Sequence, residues 1–345
     1  MHYLITGHTG FKGAWLTLML TEQGHTVSGL ALDPEPGALF EAAELHEFLE
    51  HDIRADIRDA AAVTHALATV QPDAVFHMAA QPLVRASYLD PRWTMETNVM
   101  GTFNVLEAVQ RTPSVRAHVV VTTDKVYRNV NQVAGYTEND ALGGHDPYSA
   151  SKAMADLLTQ SWVASFDGPR TAIARAGNVI GGGDVCKDRL LPDLLRAFSL
   201  GRPAEIRYPD AVRPWQHVLD CLNGYTMLMD ALLDGSQTGG EWNFGPGPES
   251  FVTVGQIADL AAELSGDGAS WTTPGGQHPH EAELLALDAD KARTELGWAD
   301  RLAYRDAVEW TIEWSDRRGS RSSARDASRH QLREFAALAL PGRVH

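Results

Sequence analysis

The chain has 345 residues, 44% hydrophobic and 21% charged, enough to bury a large core as one big domain or two intimate ones. A formal net charge of -16, with 29 Lys and Arg against 45 Asp and Glu, excludes a nucleic-acid surface, because phosphate backbones are held by clustered cations. Only two cysteines, Cys186 and Cys221, and no run near the ~20 apolar residues of a membrane span exclude a disulfide scaffold and a transmembrane protein.

The opening run from Met1 to Gly7 reads as a strand entering a loop, not as a basic and then apolar leader, so a cytoplasmic protein with both thiols as packing residues is expected. Short apolar strands then alternate with amphipathic helices: a strand at 3–5, a helix from about 13, a strand at 26–31, a helix at 60–69 and a strand at 74–78. A long helix over 98–110 and a strand over 118–122 follow. This alternation predicts an α/β fold, a Rossmann-like doubly wound parallel sheet, whose ligands sit beyond the carboxyl ends of the strands. After about Arg175 the pattern loosens into loops and helices such as 190–200 and 254–264. We therefore expect a dinucleotide-binding domain over 1–175 and a smaller mixed α/β substrate-binding lobe over 176–315, with some crossing back between them. The polar, Arg- and Ser-rich 316–345 tail is expected to fray or form a peripheral helix.

Gly7-His8-Thr9-Gly10-Phe11-Lys12-Gly13 lies between the first strand and the first helix. Glycines there permit a tight turn, and a helix N-terminus offers unpaired N–H groups to a pyrophosphate. Gly7, Thr9, Gly10, Phe11 and Gly13 are thus candidate dinucleotide contacts. Asp33, at the end of the second strand, would accept a ribose diol and repel a 2′-phosphate, favouring NAD over NADP; a plain turn before Pro34 is the alternative. Asp56 and Ile57 are placed to grip the adenine, while Ala79 and Ala80 would let the backbone approach the cofactor or simply pack tightly. Tyr148 and Lys152 stand one helical turn apart, so they share a face and the ammonium can lower the phenol's pKa. A phenolate beside a nicotinamide is a base for alcohol oxidation.

Together these segments resemble the extended short-chain dehydrogenase/reductase superfamily, and within it the sugar-nucleotide 4,6-dehydratases. The resemblance runs through Thr6–Trp15 (TGHTGFKGAW), Phe76–Tyr88 (FHMAAQPLVRASY), Asn98–Thr102 (NVMGT), Thr122–Tyr127 (TTDKVY) and Asp146–Lys152 (DPYSASK). It continues through Arg175–Asp184 (RAGNVIGGGD), Arg213–Leu219 (RPWQHVL), Trp242–Pro246 (WNFGP) and His278–Glu281 (HPHE), so that it covers residues 1 to about 315. It implies NAD as a catalytic oxidant and a nucleotide-linked glucose, CDP-D-glucose above all, converted to the 4-keto-6-deoxy sugar. It further implies Gln81, Asn98 and Thr122 as cofactor contacts beside Tyr148 and Lys152, with Lys152 on the nicotinamide ribose.

In the implied reaction Tyr148 takes the 4-hydroxyl proton and Thr123 bonds the 4-oxygen. Asp124 protonates the departing 6-hydroxyl, and Lys125 removes the C5 proton or stabilises the enolate. Lys at 125 matches the enzymes of CDP-glucose, where those of dTDP-glucose carry Glu. An ammonium beside Asp124 would keep that acid ionised unless burial lowers the Lys pKa and raises that of Asp. Asn178 is a candidate contact for the diphosphate or sugar, and Arg189 and Arg213 for the pyrophosphate. Arg85 and His217 are weighed evenly between the pocket and bland ion-pair or packing roles. His278, His280 and Glu281 make poor zinc geometry, so no metal is expected. A homodimer, or a dimer of dimers, through the Asn98 and Tyr148 helices is implied. Rival readings are a sugar-nucleotide C4 epimerase, a dehydratase of a dTDP-, UDP- or GDP-hexose, and a redox-dead cofactor sensor. The Asp124-Lys125 doublet argues against the epimerase, and an intact Thr123, Tyr148 and Lys152 against the sensor.

Overall fold

The computed structural model describes residues 1–132, 134–274, 285–317 and 321–338, with no account of the side chains of 321–323. Strands β1 (His2–Thr6), β2 (Thr26–Ala31), β3 (Leu49–Arg54), β4 (Ala74–His77), β5 (Ala117–Val121) and β6 (Arg170–Ala176) all run parallel in one sheet. Two short elements follow, β7 (Asn178–Ile180) and β8 (Ala204–Glu205), and then β9 (Val212–His217). After these, β10 (Gly239–Phe244) returns to pair with β6, giving a seven-stranded order of β10-β6-β5-β4-β1-β2-β3. The central strands β4 and β5 are buried along their whole length, as continuous apolar runs under helices on both faces demand. A second sheet sets β9 between β7 and β11 (Phe251–Thr253), and β8 pairs with β12 (Trp271–Thr272).

Helix α1 (Phe11–Glu22) follows β1, a one-turn α2 (Leu39–Ala42) follows β2, and α3 (Ala60–Val70) follows β3. The Asp59 side chain caps α3 by accepting from the Ala61 and Ala62 N–H groups. After α4 (Val84–Leu89), α5 (Pro91–Met95) runs through a π-type turn, Glu96–Met100, into α6 (Gly101–Gln110), so the helix expected over 98–110 begins a full two turns earlier. Asp146 caps α7 (Pro147–Ser165) through the Ser149 N–H, with Pro147 at the first helical position. In the second half come α8 (Leu190–Ser199), α9 (Val218–Asp234), α10 (Val254–Ser265) and α11 (Tyr304–Arg317).

Two cores result. Trp15, Trp242, Trp298 and the leucines of α9 pack with the large sheet, while Ile180, Leu191, Leu194, Trp215 and Ile257 form a separate cluster under the small one. The segment after residue 176 supplies both, because α9 and β10 come back to the large sheet. Cys221 is buried, Cys186 half-buried, and both are free thiols. No described helix is long and apolar enough to cross a membrane.

The polar end of the chain does not fray where it is described. It forms α12 (Arg321–Ala337), which seats Ala324, Ala327 and Phe335 in the main core. Arg325 donates to the Ala43 carbonyl at 2.9 Å and pairs with Glu47, and Arg329 pairs with Glu22. Ser328 accepts from the Trp314 indole N–H at 2.7 Å. The face of Trp314 covers Gly182, where a Cβ would lie 2.1 Å from the indole, and Trp15 donates to the Gly182 carbonyl at 2.8 Å. The last helix thus backs the turn that leads into the second lobe. Phe335, 4% exposed, is its largest buried apolar side chain, and Phe335→Ala is expected to lower unfolding free energy by about 3 kcal/mol in urea titration; an unchanged midpoint would contradict this docking.

Candidate active site

The seven parallel strands of the large sheet end at one edge, and the segments that follow them carry the candidate residues. Gly7, with φ +78°, closes the loop after β1; a Cβ there would lie 2.8 Å from the Ala79 nitrogen, so two backbones touch. Gly13 packs as tightly, since its Cβ would stand 2.1 Å from the Gly7 carbonyl oxygen. Among the described residues no side chain caps α1 at Gly10, which leaves the first N–H groups of a 12-residue helix to a bound phosphate. Thr9 ties the loop to the end of β2 by donating to the Leu32 carbonyl at 3.0 Å. Phe11 is half-buried and leans toward Gly181 of the other lobe. These residues fit a dinucleotide pyrophosphate.

Asp33 is exposed just past β2. The nearby Arg54 is engaged by Asp52 at 2.7 Å and by the Leu32 carbonyl. Ile57 is buried beneath Gly101, and the Asp56 carboxylate is held by Arg58. Ala79 and Ala80 are half-buried, and the Ala79 N–H donates to Thr6 Oγ1. Gln81 and Asn98 face each other: the Gln81 N–H donates to Asn98 Oδ1 at 2.8 Å, and Asn98 Nδ2 donates to the Gln81 carbonyl and to Ser151 Oγ. Their side chains brace the loop after β4. Thr122 likewise turns its hydroxyl inward, to Asp156 Oδ2 at 3.0 Å.

Just past β5, the turn Asp124–Val126 carries the reactive groups. Thr123 Oγ1 donates to Asp124 Oδ1 at 2.9 Å and lies close enough to the Tyr148 phenol to act on its pKa. Asp124 is 1% exposed, and its Oδ2 has no partner among the described residues. A Cβ at Gly177 would come within 3.1 Å of that oxygen. Burial raises the Asp124 pKa, and it outweighs the opposing pull of Lys125, Thr123 and Arg213. Lys125 itself is half-buried. Burial thus favours the protonated carboxyl beside Lys125, a balance that sequence alone leaves open.

Tyr148 is 7% exposed, and burial pushes its pKa up to about 12 against the opposing pull of Thr123. The expectation that Lys152 lowers this pKa is not met. The cation acting on the phenol is Arg189, because Lys152 Nζ is drawn to the Val121 carbonyl at 3.0 Å. Burial, and then Lys12, brings the Lys152 pKa down to about 7 while Asp156 opposes them.

The substrate candidates divide. Arg213, only 4% exposed, acts on Asp124, and Arg189 lies close enough to act on Tyr148 while paired with Asp184 at 2.9 Å. Asn178 opens β7 half-buried, next to Gly177. Arg85 lies at the surface, paired with Asp188 at 2.6 Å. His217 is not at the site. It is fully buried, accepts the Leu219 N–H to cap α9, and sets its ring edge-on against Trp310. Burial leaves it neutral, with a pKa near 3. His278, His280 and Glu281 lie outside the described residues.

Two buried groups escaped the sequence reading. His8, inside the glycine loop, lies over Gly29 and bonds Asp52 at 2.8 Å; a glycine within β2 was the signal for a ring there. Asp156, one turn beyond Lys152, pairs with Arg175 at 2.7 Å. Its spacing of four from Lys152 was visible, but its partner on β6 was not.

The chain matches the family model described as GDP-mannose 4,6 dehydratase over residues 4–311. It is 47% identical over 320 residues to CDP-glucose 4,6-dehydratase of Salmonella typhimurium, covering 90% of this chain and 89% of that one. Its fold superposes on MoeE5 in complex with UDP-glucose and NAD with a TM-score of 0.78 at 25% identity, covering 92% and 99% of the two chains. The dTDP-glucose 4,6-dehydratase of Bacillus anthracis, in complex with NAD, has the same fold, with a TM-score of 0.77 at 22% identity and coverage of 92% and 96%. With a glycine cradle, a Tyr-Thr-Asp cluster at the strand ends and a match over nearly its whole length, the chain belongs to the GDP-mannose 4,6 dehydratase family.

Proposed function

We propose that this enzyme dehydrates CDP-D-glucose to its 4-keto-6-deoxy derivative, with NAD as the regenerated oxidant. The observation that carries the reading is Asp124, a buried carboxyl with a raised pKa and a free oxygen, bonded to Thr123, which acts on the Tyr148 phenol. An enzyme that only inverts C4 has no use for a stocked acid there. The CDP-linked sugar follows from the 47% identical relative and from Lys at position 125.

NAD, bound on the glycine loop, would supply a hydride acceptor for the C4 hydrogen and, once reduced, a hydride donor for C6. Tyr148, as the phenolate, removes the O4 proton while Thr123 holds that oxygen. The ketone makes the C5 hydrogen acidic, and Lys125 either removes that proton as the neutral amine or stabilises the enolate as the ammonium. Asp124 gives its proton to O6, so that water leaves. Lys152 holds the nicotinamide ribose, and Arg189 and Arg213 hold the pyrophosphate by charge-assisted bonds.

We also infer a homodimer. Met100, Met154 and Leu157 are 51%, 47% and 51% exposed on the adjacent helical stretch through α6 and on α7, an apolar face suited to a second copy in a four-helix bundle.

Three outcomes are expected. CDP-glucose bearing deuterium at C4 should give a product lighter by one water with the label in its new methyl group, and label lost to solvent contradicts the cycle. Asp124→Asn should slow water loss about a hundredfold, so that quenched reactions contain a 4-keto hexose still carrying its 6-hydroxyl; parent-rate dehydration removes Asp124 from the mechanism. Met154→Glu with Leu157→Glu should sediment as a monomer, and a parent enzyme that is itself monomeric contradicts the bundle.

A further inference from the structure

We propose that the buried Asp156–Arg175 ion pair is a positioning device that grips the Thr123-Asp124-Lys125 turn at both ends. The inference rests on the roles proposed above for Thr123, Asp124 and Lys152.

The turn is flanked by Thr122 and Tyr127, and the pair holds both. On the near side, Thr122 Oγ1 donates to Asp156 Oδ2 at 3.0 Å. On the far side, Arg175 Nη1 donates to the Tyr127 hydroxyl at 2.8 Å, with its guanidinium 5.1 Å from the Tyr127 ring centre. Between them, Arg175 Nε and Nη2 donate to the two Asp156 oxygens at 2.8 and 2.7 Å. Gln160 Nε2 adds a bond to Asp156 Oδ1 at 2.8 Å, and the Tyr127 hydroxyl donates on to Asn243 Oδ1 at 2.7 Å. The side chains of Arg175 and Asp156 are 1% and 0% exposed.

Taking two charges out of water is costly, and apolar residues of like volume fill a core as well or better. A fully bonded pair at this spot makes sense as geometry. Its directional bonds fix three segments against one another: the end of β5, the first half of α7 and β6. A shift at either end of the turn would move Asp124 and Thr123 relative to the Tyr148 phenol, and rates fall steeply with small misplacements.

A second effect follows from the same carboxylate. Lys152 faces Lys12 from α1, His77 from β4 and the Val121 carbonyl of β5, and Asp156 is the negative charge among them. Removing it would let Lys152 shed its proton at lower pH.

Kinetics of the full-length enzyme test this. In Thr122→Val, which leaves the ion pair whole, kcat should fall about tenfold or more while KM stays within about twofold. In Asp156→Asn the alkaline limb of the kcat/KM pH profile should move toward acid by about one unit, a movement that mere loss of packing does not produce; titration of isotope-labelled Lys152 by NMR should show the same shift without turnover. Parent-like kcat in Thr122→Val, or an unmoved limb in folded Asp156→Asn, overturns the proposal, and should Asp156→Asn fail to fold, the Thr122→Val result decides. Tyr148→Phe run alongside separates the two readings, because full activity there would overturn the proposed function itself and not the pair.

Discussion

Exclusion of water where β5 meets α7 is the constraint on which the site's chemistry depends. Asp124, Tyr148 and Lys152 are 1%, 7% and 7% exposed, and each is pushed toward its neutral form. In bulk water the same three groups would be an anion, a phenol and a cation at neutral pH. Here burial favours the protonated carboxyl and brings the Lys152 amine down to a pKa of about 7. The sheet supplies this enclosure: β5 is an interior strand, α7 covers its end, and a glycine at 177 leaves room for a carboxyl where any side chain would crowd it.

The second lobe completes what the large sheet begins. Its own core sits under the three-stranded sheet, yet that sheet's strands β7 and β9 carry Asn178 and Arg213 to the same place as the ends of β5 and α7. Arg189, at the start of α8, arrives from a loop whose Asp184 fixes its direction. Two cations thus approach from the lobe and act on groups of the sheet domain, one on the acid and one on the phenol.

Sequence patterns exposed the interior of the fold and hid its rims. Strands β1, β2, β4 and β5 are apolar because helices cover both faces, and they were readable for that reason. Edge strand β3, Leu49-Glu50-His51-Asp52-Ile53-Arg54, mixes half-buried and exposed positions and looks like a loop; β10 at the other edge begins Gly-Gly-Glu. The site divides in the same way. Tyr148, Lys152 and the Thr123-Asp124-Lys125 run announced themselves through neighbours in the chain. Partners distant in sequence did not: Arg189 acting on the phenol, Asn98 spent on Gln81, and His217 withdrawn under Trp310 are all set by contacts that no local pattern encodes. The same is true of the α12 side chains that make a polar segment a packed helix.

Gly182 sits between two tryptophans, one reaching its carbonyl from α1 and one from α11 filling the space where a Cβ would stand, with Ser328 of the last helix holding the latter. A peptide clasped on both sides is a weld and makes a poor hinge. The two lobes are consequently tied together at this point through the indoles of α1 and α11 and the Ser328 hydroxyl, so a change in the last helix reaches the turn at which the second lobe begins.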